Sequence, residues 1–194
     1  MKQAATSDEG PRKLRAFLAA ENSPRVFEWP TCHPSQPTGF CPCDGSFFRR
    51  TWFYFQATVL LTLLKWPFNR LKLAALRRRG ARIGRNVHIS SDVWIDPFFP
   101  QLLTIEDNVL IGVGARIALH EFGRDCFRAG RVMIRRGALI GGFALIGHGV
   151  EIGEDAVVAG GAVLGRDVPA GMMAVGNPAR IFPQKAADRG PEHE

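Results

Sequence analysis

From Ile83 onward an aliphatic residue returns at every sixth position: Ile83, Ile89 and Ile95, then Ile105, Ile111 and Ile117, then Ile134, Ile140, Ile146, Ile152, Val158 and Leu164. A small or apolar residue follows four places later in nearly every unit, as at Val87, Val93, Val109, Ala115, Ala138, Ala144, Val150, Ala156 and Ala162. Glycine often takes the second place, at Gly84, Gly112, Gly141, Gly147, Gly153 and Gly165. An α-helix would require a period near 3.6, and a simple strand would alternate by two. A unit of six that begins with an inward aliphatic and bends at a small residue describes one flat side of a coiled prism. Such units stack, each covering an edge that its neighbour would expose. Twelve of them at three per turn predict about four coils.

The residues before the repeat follow other patterns. Residues 1–46 carry six prolines and no sustained period, and read as an irregular tail with a short helix over Lys13–Glu21. Residues 47–79 read as a hydrophobic helical segment. Within it Thr51–Leu64 is an apolar run of fourteen residues, short of the roughly 20 that a spanning helix needs. Pro67 breaks that helix, and Phe68–Arg79 resumes helical spacing through Leu71, Ala74, Ala75 and Leu76. The repeat domain spans 80–181 and a polar tail spans 182–194.

Charge changes the reading of the second segment. The chain of 194 residues has a net charge of +7, yet Phe47–Arg85 alone holds ten basic residues and no acid, so the remainder is net acidic. A pI near 9.8 therefore describes one segment, and nucleic acid is not an expected partner. Aromatics and leucines beside clustered arginines suit a helix lying in a membrane interface; packing on the chain's own domain or on a partner subunit is the alternative. Met1–Glu21 has no apolar core behind a basic start, and four cysteines are too few for a disulfide-built fold, so a cytoplasmic protein is expected. Cys32, His33, Cys41 and Cys43 offer soft ligands, but one residue between the paired cysteines is tighter than zinc sites use, and no metal is expected.

Two breaks in register mark where chemistry belongs, because breaks are loops on a rigid scaffold. Ten residues separate Ile95 from Ile105, around Pro97-Phe98-Phe99-Pro100, and seventeen separate Ile117 from Ile134, so that Leu119–Arg131 leaves the prism. His120 stands at the mouth of the second break, at the fourth place of its unit and not at an inward one. An imidazole there can take a proton from an attacking hydroxyl or amine. Glu121 and Asp125 are the nearby carboxylates in sequence that could orient it, with Glu121 adjacent; either could equally be solvated.

The repeat, with the endings Asp167-Val168-Pro169-Ala170-Gly171 and Gly176-Asn177-Pro178-Ala179-Arg180, resembles the hexapeptide-repeat acyltransferases, in particular the branch that acetylates sugars and other small acceptors. The resemblance implies an all-β fold, a left-handed parallel β-helix against the usual right-handed crossover, with an N-terminal helical segment. It implies acetyl-CoA as co-substrate, assembly as a homotrimer and His120 as catalytic base. It places CoA in a groove between subunits, beside the bare backbone of Gly141, Gly142, Ala159, Gly160 and Gly161, with Arg166 and Arg180 toward the nucleotide phosphates. On the acceptor side the matching position is Asp92, where relatives carry an asparagine, and Phe98 lies in the insertion after it. Leu139 stands where many relatives have a tryptophan.

Two readings compete with acyl transfer. A γ-class carbonic anhydrase shares the β-helix but needs histidines that converge on a metal, and His88, His120 and His148 sit at unlike places of their units. A non-enzymatic scaffold or membrane-docking module would explain the basic segment, but not the histidine-bearing loop. Calorimetric titration with CoA separates it from an enzyme.

Overall fold

The computed structural model describes residues 9–20, 24–30, 47–123 and 126–184. Each six-residue unit forms a strand only two or three residues long, and the strands stack into three parallel sheets. The first face holds β2 (Arg82–Ile83), β5 (Leu103–Ile105), β10 (Val132–Ile134) and β13 (Glu151–Ile152). The second holds β3 (His88–Ile89), β6 (Leu110–Ile111), β11 (Leu139–Ile140) and β14 (Val157–Val158). The third holds β4 (Trp94–Ile95), β7 (Arg116–Ile117), β12 (Leu145–Ile146) and β15 (Val163–Leu164). The chain visits the faces in turn and makes four coils, as the spacing predicts.

Register explains the core. Ile105 lies over Ile83 and under Ile134, Ile140 lies between Ile111 and Val158, and Ile146 lies between Ile117 and Leu164. A hydrophobic row thus runs up each face, and the small corner residues Ala115, Ala138, Ala144, Ala156 and Ala162 close the interior between the rows. Strands this short hold only because every rung bonds to the rungs above and below it.

The ends of the column are finished by different means. At one end β14 pairs with β16 (Met172–Val175), which turns back antiparallel onto β17 (Arg180–Pro183). At the other, helices α2 (Phe47–Lys65) and α3 (Asn69–Arg78) lie across the first coil. The break between them falls at Pro67, as expected.

Polar side chains of α3 meet the backbone groups that the first coil cannot pair with a rung below. Asn69 donates to the Val87 carbonyl and accepts from the Ile89 amide. The wholly buried Lys72 donates to the Ile89 and Ser90 carbonyls at 2.9 and 2.6 Å, and Arg77 donates to those of Ile83 and Gly84. Arg79 adds the Pro97 carbonyl. Part of the basic run is therefore a set of backbone caps. Burial lowers the pKa of Lys72 accordingly.

Two expectations need correction. Within the first 46 residues the expected helix is present as α1, spanning Glu9–Ala19 rather than Lys13–Glu21, and Val26–Pro30 forms β1 where irregular chain is expected. The excursion after Ile117 is not an open loop either. It folds as a hairpin of β8 (His120–Phe122) and β9 (Cys126–Gly130), and β1 adds to β9 as a third antiparallel strand. Glycine makes this docking feasible. A Cβ on Gly149 would come within 2.4 Å of Val26 in β1, and one on Gly130 within 2.4 Å of the Gly149 amide. Cys32, His33, Cys41, Cys43 and Asp125 lie outside the described residues.

Candidate active site

The corner between the third and first faces is where both register breaks fall. In the fourth coil the chain turns there between β15 and β13's neighbour Val168 without any insertion. In the first coil the turn is lengthened by Asp96–Leu102, and in the second by the hairpin. The two lengthened turns lie over one another because Ile95 pairs with Ile117. That stacking sets Asp96, the residue after Ile95, beside Ala118 and within reach of Leu119 and His120.

His120 is held by this geometry. Its Nδ1 meets the Asp96 carboxylate, which also accepts from the Phe98 amide at 2.9 Å and the Leu119 amide at 3.3 Å. Asp96 is wholly buried, while the His120 side chain keeps 17% of its exposure. A carboxylate at Nδ1 fixes the tautomer, leaving Nε2 as the nitrogen that can take a proton, and it stabilises the imidazolium formed.

Aromatic rings surround the imidazole. Phe98, Phe99, Phe122 and Phe127 have centroids 5.8, 5.2, 5.4 and 6.0 Å from it. Phe98 in turn packs on Phe53 and Tyr54 of α2 at 5.8 and 6.0 Å. Rings exclude water from the sides of the pair, where a lower dielectric strengthens the Asp96–His120 interaction.

The orienting carboxylate is thus Asp96 and not Glu121. Glu121 points along β8 toward His148, with Oε2 3.6 Å from its Nδ1. His148 occupies the same corner one coil on, and burial lowers its pKa against the opposing pull of Glu121. Sequence reasoning missed Asp96 because it lies 24 residues from His120. The available signal was an acid directly after an inward isoleucine at the first register break, at a place where half of the twelve units carry glycine.

Of the other predicted residues, Phe98 lies against His120, whereas Asp92 does not reach this corner. Asp92 is exposed in the turn before β4, at φ 57°, a left-handed conformation that aspartate tolerates better than most residues. Gly141, Gly142, Ala159, Gly160 and Gly161 do come together, but at the corner between the second and third faces. Their coils are pressed close: a Cβ on Gly141 would lie 2.4 Å from the Gly160 amide, and the Gly161 amide donates to the Gly142 carbonyl at 2.9 Å. Phe143, in the same corner, is 69% exposed at φ 58°, a left-handed conformation costly for a bulky residue. Sequence reading passed over it. Arg166 donates to the Ala179 carbonyl and ties the chain ending to the column, and Arg180 is exposed on β17. His88 lies on the second face, so the three histidines of the column do not converge on one metal site.

Comparison with known proteins locates the fold. Residues 131–166 match the family model of the bacterial transferase hexapeptide (six repeats). The Bacillus subtilis (strain 168) protein YvoF, whose own acetyltransferase designation is provisional, is 35% identical over 101 residues, 52% of this chain and 59% of its own length. The match thus spans little more than half of that relative. Among solved structures, the hexapeptide-repeat-containing acetyltransferase VCA0836 of Vibrio cholerae, in complex with acetyl coenzyme A, superposes with a TM-score of 0.55 at 23% identity. The superposition covers 72% of this chain and 90% of that one. A maltose O-acetyltransferase from Clostridium difficile 630 gives 0.52 at 20% identity, over 69% of this chain and 84% of its own. The column is therefore a left-handed parallel β-helix of hexapeptide repeats.

Proposed function

We propose that this chain, whose column carries the bacterial transferase hexapeptide repeat, is an acetyl-CoA-dependent acetyltransferase. It moves the acetyl group to a hydroxyl or amine of a sugar or other small acceptor, with His120 as general base. The observation that carries the reading is the buried Asp96 carboxylate on Nδ1 of an accessible imidazole, at the corner where the repeat is interrupted.

The steps follow from that pair. Nε2 takes the acceptor's proton as its oxygen or nitrogen attacks the thioester carbonyl carbon, and the imidazolium is stabilised by Asp96. The tetrahedral oxyanion is met by a backbone N–H of a neighbouring coil. The C–S bond then breaks, and the departing thiolate takes the proton from the imidazolium. The phenyl rings beside His120, Phe98 among them, offer apolar faces to an acceptor such as a sugar ring.

The same reading takes the chain as a homotrimer. Leu110, Val113, Leu139, Phe143 and Leu145 leave an exposed apolar strip along the second and third faces, which suits burial against a second copy. Within one chain the glycine corner and His120 stand at different edges of the column. A trimer would bring the glycine corner of one subunit toward the His120 corner of the next, with CoA between them. There Phe143 offers a ring to the cofactor where Leu139 cannot, and Arg166 and Arg180 offer charge to its phosphates.

His120→Ala tests the assignment. Turnover, followed as CoA release over a panel of sugar and amine acceptors, should fall about 10²- to 10⁴-fold, with CoA affinity and the melting temperature retained. Retention of more than about a tenth of kcat would remove His120 from the role of base. Light scattering of the native protein should give a trimer, and an active monomer would overturn the shared groove.

A further inference from the structure

We propose that the outer face of α2 is a docking surface for an anionic lipid bilayer. The inference stands apart from the acetyl-transfer reading and rests on what α2 leaves uncovered.

α2 is apolar nearly all round. Its inner face is used, since Ala57, Leu60 and Leu64 are buried in the core. Phe48, Trp52, Phe55 and Val59 recur at spacings of four, three and four, which places them in one stripe on the opposite side. They are 80%, 61%, 56% and 41% exposed. The Trp52 and Phe55 rings already stack at 5.6 Å, so the stripe carries a preformed aromatic plate. A helix that is apolar on both sides meets something besides water on each. Among the described residues no helix is long and apolar enough to cross a membrane, so a bilayer would be met at its surface.

Charge selects the occupant. Lys72, Arg77 and Arg79 are spent on the first coil, but Arg49 and Arg50 in the first turn of α2, Lys65 in its last turn and Arg70 in α3 are exposed at the margins of the helix pair. No acid lies between Phe47 and Arg85 to offset them. A second copy of the same face would set these cations against one another. An anionic lipid surface instead offers phosphates to the basic margin and an acyl boundary to the aromatic stripe. Docking would also hold the His120 corner at the bilayer, because Phe53 and Tyr54 on the side of α2 pack on Phe98, which packs on His120.

The full-length protein should co-sediment with phosphatidylcholine vesicles containing phosphatidylglycerol, much less with phosphatidylcholine alone, and more weakly as salt is raised. Replacing Trp52→Glu and Phe55→Glu together should lower the association constant by about tenfold or more. Arg49→Glu should lower it about fivefold and reduce the salt dependence. All three positions are exposed, so the variants should melt with the native protein; a loss of binding with an unchanged melt supports the proposal. Absence of binding at low salt would overturn it, as would equal binding by the double variant. So would variants that change the mass by light scattering while vesicle binding is kept, which would make this face a contact between copies of the chain.

Discussion

Two corners of the same column carry the same backbone turn and have been put to different uses. Between the second and third faces, Gly112, Gly141 and Gly160 stack so closely that the backbone of one coil occupies the space where a side chain of the next would begin. Between the third and first faces, the first two coils are lengthened by insertions, and a buried carboxylate, an imidazole and four phenyl rings fill the opening. Where the period is kept, the corner is a packing device, and its bareness is a by-product that a ligand can exploit. Where the period breaks, side chains from separate coils meet, and the rigid rungs on either side fix their geometry.

Substitutions at the two corners should accordingly fail in different currencies. The largest effect is expected of Asp96→Asn, which keeps the shape but places a neutral amide on Nδ1. Turnover should drop by about 10²-fold or more, with the loss in kcat rather than in KM. A drop confined to the melting temperature would reduce Asp96 to a structural role. Ile146→Ala, inside the regular part of the column, should cost about 2–5 kcal/mol of stability in denaturant unfolding, because a buried row loses a member that the rungs cannot close over. Gly112→Ala should cost less, about 1–3 kcal/mol, since the new Cβ would stand 2.5 Å from the Gly142 amide and the coils must part slightly. If it melts like the native protein, the close-stacked corner is softer than its contacts indicate.

The smallest effect concerns His148, which shares the corner of His120. Burial lowers its pKa in the folded chain below the ordinary 6.5, so the unfolded chain binds the proton first. Stability should therefore be complete above that value and decline as the pH falls through it toward the folded pKa. Denaturant midpoints between about pH 7 and pH 5 should show this slope, and His148→Gln should flatten it.

How much of this could be read in the chain beforehand depends on the range of the interactions. The column was legible because its signal is local and repeated: twelve aliphatics recurring every sixth position predict stacked flat sides, while the left hand of the coil came only from the family resemblance. The position of His120 at the larger break was legible for the same reason. Asp96 was not, because its place depends on which rung stacks on which across an insertion, and Glu121, merely adjacent in sequence, took its part in the prediction. β1 was hidden by its neighbours, since a five-residue edge strand amid prolines has no period to announce it, and only the hairpin it joins gives it a partner. In α2 the apolar run was plain, but which side would find the column was decided by the tertiary contacts of Ala57, Leu60 and Leu64.

The helices across the first coil have one more consequence. A stack of identical rungs has no natural terminus, and a bare rung is a template for another molecule's last one. Asn69, Lys72 and Arg77 act as a stopper, because they occupy the very groups through which end-to-end growth would proceed. Loss of that plug would turn a self-limited column into a seed for fibres, so the basic helical segment also keeps the molecule finite.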